Sequence, residues 1–470
     1  MRYLSTISAL AFLAATPACA QTANNLAVLQ GLAPFSALLN TDAGKAALDG
    51  NYKVTGAIQT GTAKQPGLEP FAAQQARALR DAYITLGNGT ELADGLGSTL
   101  GDAYQKATPV TMGKDKDGKP KPVFTNISPN IGNLLLYSVV SAGLDANAGK
   151  FFFANGTYQP GKAAPQPASA DALAFMTAVG GKTDVMGKAY HLPAGSNGAD
   201  PEGDSRPFQT EKNFLSYADP DYFGIPSSNT EWLDGAVPGT KSMGMKLLTS
   251  PSFPSGHTTY GYTEGVLLAI LVPARYTQQI TRAAEYGNNR IVLGAHYAMD
   301  VLGGRTVALY DLAQLLSENP AYLNQKLPKT QPIGNYAEAL KLAQADLTAD
   351  LTKALEASTG TTIADAAAKD TSRFANADAN EAFYESTQTY GLPVVYPAQT
   401  APEDVAKIAP EAGTLLTAAF PYLTLKQADD ILTATEGPGG GFLDNGSHFG
   451  LYSRLDLYKA GLQAEALAPK

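Results

Sequence analysis

Apolar residues recur at helical spacing along most of the chain, whereas the alternation typical of strands is scarce. Glycine- and proline-containing stretches separate the apolar segments, as is usual where helices end. The pattern predicts an all-α protein, with a helical bundle core to about residue 330 and an additional helical C-terminal segment. Helices are predicted over 71–86, 131–144, 170–188, 255–272, 278–292, 298–316, 336–357, 381–390, 403–419, 426–435 and 453–467.

The first twenty residues have the pattern of a signal peptide. Arg2 supplies a positive charge, and 4–15 is an apolar stretch too short to span a bilayer. Residues 18–20 read Ala-Cys-Ala, which fits a cleavage site, so the mature chain is expected to begin at Gln21 and to be periplasmic or secreted. Anchoring as a lipoprotein through Cys19 is the alternative.

The rest of the chain changes character near residue 330. Residues 21–330 are predicted to form one helical domain, in which an irregular lead-in extends to about residue 130. Residues 331–470 are predicted to form a segment of short, Ala-rich helices. No later stretch approaches the roughly 18 apolar residues of a membrane-spanning helix, so no integral membrane contact is expected.

Charge and cysteine content exclude several classes of protein. Lys and Arg number 34 against 43 Asp and Glu among 470 residues, which gives a net charge of −9. A nucleic-acid-binding protein needs a basic surface to neutralise phosphates, so nucleic acid is not an expected partner. The chain has 1 cysteine, so no intramolecular disulfide is expected, and the spacing of Cys and His gives no zinc site.

The first stretch with chemical potential reads Pro254-Ser-Gly-His257 and stands directly before an apolar helical run. Ser255 is a natural helix N-cap, and Gly256 leaves room for an anion to approach the backbone N–H groups of the first turn. Taken alone, the stretch is more typical of an ordinary capped helix with a surface histidine.

The second stretch runs from Asn289-Arg290 to His296 and Asp300. His296 and Asp300 are four positions apart, so on a helix they would share one face. A carboxylate that binds one imidazole nitrogen fixes the tautomer and leaves the other nitrogen free to attack. Gly294 is expected to break the chain between Arg290 and His296. An isolated His and Asp at this spacing usually form an ion pair on the protein surface. The third stretch, Arg206-Pro207, is uninformative by itself.

The order and spacing of the three stretches are more specific than any one of them. Together they resemble the type 2 phosphatidic acid phosphatase and vanadium haloperoxidase superfamily, and most closely the class A bacterial acid phosphatases. The resemblance covers residues 204–306 and implies that superfamily's helical-bundle fold. The chain departs from the family pattern at Ala199, where a lysine is expected, and at Asn289, where serine is usual. We hypothesise that Lys188 points into the pocket in place of the missing lysine.

The residue types suit phosphoryl transfer without a metal. Arg206 and Arg290 offer planar forks for phosphate oxygens, and the Ser255 hydroxyl and the Gly256 amide add further donors. By resemblance, His296 is the nucleophile that forms a phosphohistidine, and Asp300 orients it. By resemblance, His257 protonates the leaving group and then activates water. Because an anion-binding pocket should raise the pKa of His257, a bell-shaped pH profile with an optimum at or below about pH 6.5 is expected.

The function predicted from the sequence is an exported, metal-independent acid phosphatase that acts on small phosphomonoesters and needs no cofactor. One alternative is a vanadium-dependent haloperoxidase, in which vanadate would be the cofactor and His296 would bind it. The other is a non-enzymatic phosphate-binding envelope protein. The identity of the phosphomonoester, the role of residues 331–470 and the oligomeric state stay open.

Overall fold

The helices around residues 256–316 form the centre of the molecule. The structure is a computed structural model that describes residues 26–114, 116, 118, 120–125, 127–155, 170–179, 184–191, 204–210, 214–234, 245 and 247–469. The predicted signal peptide and Ala199 lie outside these residues. The all-α prediction is confirmed, since the described strands form only two short antiparallel ribbons.

The elements follow one another from the N-terminal lead-in to the C-terminal segment. The α-helices are α1 Leu26–Ala37, α2 Asp42–Gln59, α3 Phe71–Arg80, α4 Ser98–Ala107, α5 Pro129–Asn155, α6 Ala170–Ala178, α7 Val185–Ala189, α8 Pro207–Thr210, α9 Asn229–Asp234, α10 Gly256–Leu271, α11 Tyr276–Leu293, α12 Ala298–Leu316, α13 Tyr336–Ser358, α14 Ile363–Ala368, α15 Ala377–Thr389, α16 Val405–Ile408, α17 Thr414–Thr417, α18 Leu425–Thr435, α19 His448–Leu451 and α20 Leu457–Ala466. The 3₁₀ helices are Leu38–Asn40, Thr90–Leu96, Leu247–Thr249, Pro273–Arg275, Pro397–Gln399 and Tyr452–Arg454. Strand Val110–Lys114 pairs with Pro120–Phe124, and Ala218–Pro220 pairs with Pro226–Ser228.

Helix α10 is the innermost element. It packs against α5, α11 and α12, and its apolar residues cover all sides of the helix, as expected for a helix without a solvent face. Every residue of α10, which is described throughout, is buried except His257. The first turn of α10 is therefore where the buried core meets accessible space.

Helix boundaries follow local signals where those signals are strong. The predicted bounds of α12 agree with the structure, and α10 begins directly after its Ser255 cap as predicted. The helix predicted over 403–419 is instead split into α16 and α17. Pro410 explains the break, because the residue before a proline is disfavoured in helical conformation.

The lead-in is more ordered than predicted. Helices α1, α2 and α4 lie in the stretch expected to be largely irregular, and α2 packs against α11 and α12. The Asn51 side-chain oxygen accepts the N–H of Met299 at 2.9 Å, and the Thr55 hydroxyl accepts that of Ala298 at 3.1 Å. These contacts occupy backbone donors that α12 cannot satisfy within its own first turn. The lead-in thus fixes the start of α12.

The C-terminal segment packs on the same core. Helix α13 lies against α5, and α15 and α20 lie against α11. The guanidinium of Arg305 donates to the carbonyls of Thr387, Gln388 and Ser453, which ties α12 to this segment. A domain boundary near residue 330 stays a prediction. Within the described ranges, no helix is both long enough and apolar enough to cross a bilayer.

Candidate active site

The predicted site residues come together where α10 and α12 begin and α11 ends. The backbone N–H of Ser255 donates to the carbonyl of Asp300 at 2.9 Å, which joins the starts of α10 and α12. Glycine allows this approach, since a Cβ at Gly304 would lie 2.5 Å from the Ser255 carbonyl oxygen. Gly294 ends α11 with a φ of 91°, as its predicted role as a chain break requires.

His296 and Asp300 form a fully buried pair. The Nδ1 atom of His296 lies 3.3 Å from Oδ2 of Asp300. The pair does not share a helix face as predicted, because α12 begins at Ala298, after His296. The two side chains meet because the Asp300 carboxylate folds back to accept the N–H of Tyr297 at 2.8 Å. Ser252 also donates its hydroxyl to the same carboxylate oxygen.

The hydrogen bonds around His296 define its tautomer. Nη1 of Arg206 lies 3.1 Å from Nε2 of His296. A guanidinium can only donate, so Nε2 accepts and carries a lone pair. The proton of the neutral ring then belongs on Nδ1, which faces Asp300. This is the tautomer in which Nε2 can attack an electrophile.

Arg206 holds the loops of the site together. Nε and Nη2 donate to the carbonyls of Ser250 and Pro251 at 2.8 and 2.9 Å, and Nη1 donates to the carbonyl of Ala295 at 2.8 Å. Nη2 also reaches the Ser250 hydroxyl at 3.3 Å. With the contact to His296, all five guanidinium N–H groups are engaged. The sequence predicted a free fork, whereas the structure leaves only the bond to His296 available for exchange with a ligand.

Arg290 is in the opposite situation. Its side chain is fully buried at the last turn of α11, where it lies over the Tyr286 ring at 4.7 Å. Within the described part of the chain, none of its three guanidinium nitrogens has a hydrogen-bond partner. Burial of unpaired charged donors is costly, so such groups are normally paired. The three guanidinium nitrogens of Arg290 are therefore buried donors without a hydrogen-bond acceptor among the described residues.

The start of α10 supplies further donors. The Ser255 side-chain oxygen accepts both the backbone N–H and the hydroxyl of Thr258, so its own proton remains available to donate. Gly256 and His257 follow in the first turn, where N–H groups point out of the helix end. The rings of His257 and His296 lie 6.5 Å apart between centroids, close enough to serve one small group.

Burial and positive charge set the protonation of the site. Burial, followed by the charge of Arg206, lowers the pKa of His296 well below its ordinary value, which keeps the ring neutral. Burial, followed by the charge of Arg290, lowers the pKa of His257 well below its ordinary value. The sequence predicted a raised pKa for His257, whereas the structure shows a lowered one. Burial raises the pKa of Asp300 to about 6, and the Ser252 hydroxyl acts against this rise.

Lys188 lies on the surface and not in the buried pocket where it was predicted. Lys188 is exposed on α7, and its charge acts on the neighbouring Asp184. The structure therefore does not support Lys188 as the pocket lysine. Lys150 of α5 is buried instead, and its positive charge acts on His257 and on His296.

Three residues that act on this site are not part of the sequence motifs. Ser252 stands three positions before Ser255 and carries a signal only through that proximity. Asn51 and Lys150 lie far from the motifs in the chain, and no sequence pattern marks them.

Asn289, which stands where the family usually has serine, donates its amide to the buried Asp81 at 2.9 Å. In the parts of the chain that the structure describes, no three His, Cys, Asp or Glu residues lie together so that they could hold a metal ion.

Comparison with known proteins supports the resemblance drawn from the motifs. Residues 203–313 match the PAP2 superfamily. This range contains every site residue drawn from the three motifs, and the match confirms the suspected resemblance to the superfamily. The matched stretch is a minority of the chain, and the helices before and after it lie outside the match.

Similar proteins carry related names. The chain is 41% identical over 64 residues to an acid phosphatase of Zymomonas mobilis, which is 14% of this chain and 24% of that protein. It is 31% identical over 104 residues to a non-specific acid phosphatase of Providencia stuartii, which is 22% of this chain and 37% of that protein. A non-specific acid phosphatase of Salmonella typhimurium is 39% identical over 64 residues, 14% of this chain and 26% of that protein. The chain therefore spans about a quarter to a third of the length of these relatives.

Proposed function

We propose that the protein is an acid phosphatase that hydrolyses small phosphomonoesters through a phosphohistidine at His296. The observation that carries the proposal is the buried Arg290 fork without a partner among the described residues, set beside two histidines of lowered pKa. A phosphate monoester carries two negative charges and several acceptor oxygens, so it can accept the hydrogen bonds that the Arg290 guanidinium does not otherwise make. The names of the similar proteins support the same chemistry.

In the first step, Nε2 of His296 attacks phosphorus. Nε2 carries no proton, since it accepts a hydrogen bond from Arg206, and its lone pair becomes available when that donor turns to a phosphate oxygen of the entering substrate. The N–P bond forms while the bond to the ester oxygen breaks, and the ring becomes positively charged. Asp300 stabilises this charge through its contact with Nδ1. Arg290, Ser255 and the N–H of Gly256 hold the other phosphate oxygens.

The leaving oxygen takes a proton from His257. The pKa of this ring is lowered in the free protein by burial and by nearby cations. A bound dianion offsets those cations and raises the pKa again, or the substrate itself brings the proton as a monoanion, since its second pKa is about 6. Either route favours acidic pH. In the second step the neutral His257 removes a proton from water, which attacks phosphorus and releases His296.

We propose no metal or other cofactor for this reaction, because buried cationic side chains supply the charge that a metal would otherwise provide. If the protein were a haloperoxidase, vanadate would sit in place of phosphate with His296 as its ligand. No specific observation favours that reading. We also propose that the chain is exported after cleavage near Ala20 and that its substrate is a small phosphomonoester.

The proposal is tested by hydrolysis of a panel of phosphomonoesters by the purified protein with a chelator present. We expect release of phosphate at acidic pH, no loss with chelator, and inhibition by vanadate. Peroxide- and halide-dependent bromination with vanadate, in place of phosphate release, would establish the haloperoxidase. Phosphate binding without turnover on any substrate would establish the non-enzymatic alternative.

A further inference from the structure

Lys150 is a lysine where lysines are rarely found. Only 5% of it is exposed, although lysine side chains are almost never fully buried unless they are paired or functional. It lies near the C-terminal end of α5, a helix that packs along α10 and α12. The positive charge of Lys150 therefore lies in the interior of the protein.

Helix α5 approaches the site through small residues. A Cβ added at Gly149 would lie 3.5 Å from Cδ of Pro254, which stands directly before Ser255. A Cβ at Gly143, about two turns earlier, would lie 2.6 Å from the Tyr260 ring. The backbone beside Lys150 therefore lies against the loop that begins α10. Consistent with this position, the charge of Lys150 lowers the pKa of both site histidines and acts against the raised pKa of Asp300.

The two arginines of the site differ in what they can offer a dianionic ligand. The Arg206 guanidinium is committed to carbonyls of two loops, so it can offer little more than the bond it now gives His296. Arg290 alone presents a fork without a partner in the described ranges. A dianion in a buried pocket is held most strongly by charge-assisted hydrogen bonds from more than one cation.

We propose that the Lys150 ammonium binds a non-bridging oxygen of the phosphoryl group together with Arg290. This inference rests on the proposed function and assigns a phosphate-binding residue outside the matched superfamily range. It takes the role that the sequence analysis gave to Lys188. Because lysine is a compact point charge on a flexible stem, it can reach the pocket from a helix distant in sequence.

The test compares Lys150→Met with Lys188→Met, a matched change at the exposed lysine of α7. Binding of inorganic phosphate is measured by calorimetry, and kcat and KM are measured on one phosphomonoester. We expect Lys150→Met to weaken phosphate binding on the order of 10- to 100-fold, and Lys188→Met to leave it unchanged. We also expect the pH optimum of Lys150→Met to move upward, because the charge that lowers the pKa of His257 is gone. A purely structural lysine would not move that optimum.

Folding is controlled for in the same experiment. Lys150→Arg retains the charge and should recover part of the phosphate affinity, and Lys150→Gln replaces Lys150→Met if the latter does not fold. A folded neutral variant that binds phosphate as tightly as the wild type, with an unchanged pH optimum, would overturn the inference. If the wild type itself neither binds phosphate nor hydrolyses monoesters, the proposed function fails instead.

Discussion

Two buried arginines of α11 offer a direct test of the anion site. Arg282 contacts Asp81 at 2.6 Å, Asp94 at 2.7 Å and Glu285 at 3.3 Å. Arg290, two turns later, is equally buried, yet its guanidinium has no hydrogen-bond partner in the described ranges. Replacing each by Met removes the charge and keeps an unbranched apolar chain of similar length. The same substitution should therefore have opposite consequences at the two positions.

The expected changes in the free energy of unfolding follow from the side chains that each arginine contacts. Arg282→Met leaves Asp81 buried without its counter-ion, which costs about 3–5 kcal/mol. Arg290→Met removes unpaired buried donors, whose burial costs about 1–3 kcal/mol per group. Loss of the contact with the Tyr286 ring, worth about 0.5–2 kcal/mol, and of the attraction between Arg290 and the buried Asp81 offsets part of this gain. We therefore expect Arg290→Met to be neutral or slightly stabilising in the free protein, and Arg282→Met to be strongly destabilising.

The assay is thermal unfolding of the three proteins with and without inorganic phosphate. Phosphate at a hundredfold excess over its Kd should stabilise the wild type by about 2.7 kcal/mol. Arg290→Met should lose most of this stabilisation. Its kcat should fall on the order of 10²–10³-fold. A folded Arg282→Met should retain the stabilisation. If Arg290→Met melts as low as Arg282→Met, or keeps the full effect of phosphate, Arg290 is a structural residue and the reasoning is refuted.

Further predictions concern the protons of the site and the support of α12. Ser252→Ala should raise the pKa of Asp300 above its value of about 6, because the Ser252 hydroxyl acts against the rise caused by burial. The acid limb of the kcat/KM profile should therefore move to higher pH, and an acid limb that does not move would contradict this. His257→Asn should lose about 10²–10⁴-fold on a sugar phosphate and much less on nitrophenyl phosphate in single-turnover bursts, because nitrophenolate leaves without a proton; equal losses would remove His257 as the general acid. Asn51→Ala should cost about 1 kcal/mol of stability, because it removes the side chain that caps the start of α12 at Met299. It should also lower kcat more than it changes KM, and an unchanged kcat would show that the cap is structural only.

Features set by neighbouring residues could be predicted from the sequence. The Ser255 cap, the chain break at Gly294 and the bounds of α12 all depend on side chains within a few positions. The all-α class follows from apolar spacing for the same reason. The three motifs also identified the residues that the structure brings together.

Features that depend on distant parts of the chain could not be predicted. Asn51 caps α12 from a stretch expected to be irregular, and the charge of Lys150 acts on His296 from α5. The engagement of Arg206 by carbonyls arises from the folding of two loops, which no local pattern shows. The direction of the pKa shift of His257 depends on burial and on the balance of charges in the pocket. These quantities are properties of the tertiary arrangement.

The central claim is that phosphorus is transferred to His296, and trapping the intermediate tests it most directly. The wild type and His257→Asn are mixed with nitrophenyl phosphate labelled at phosphorus, quenched in alkaline denaturant within one turnover, and mapped by peptide mass. We expect label on the peptide that contains His296, with more label in His257→Asn because water activation is impaired. His296→Asn should carry no label and show no turnover. Label on another residue, or label retained by His296→Asn, would contradict the claim.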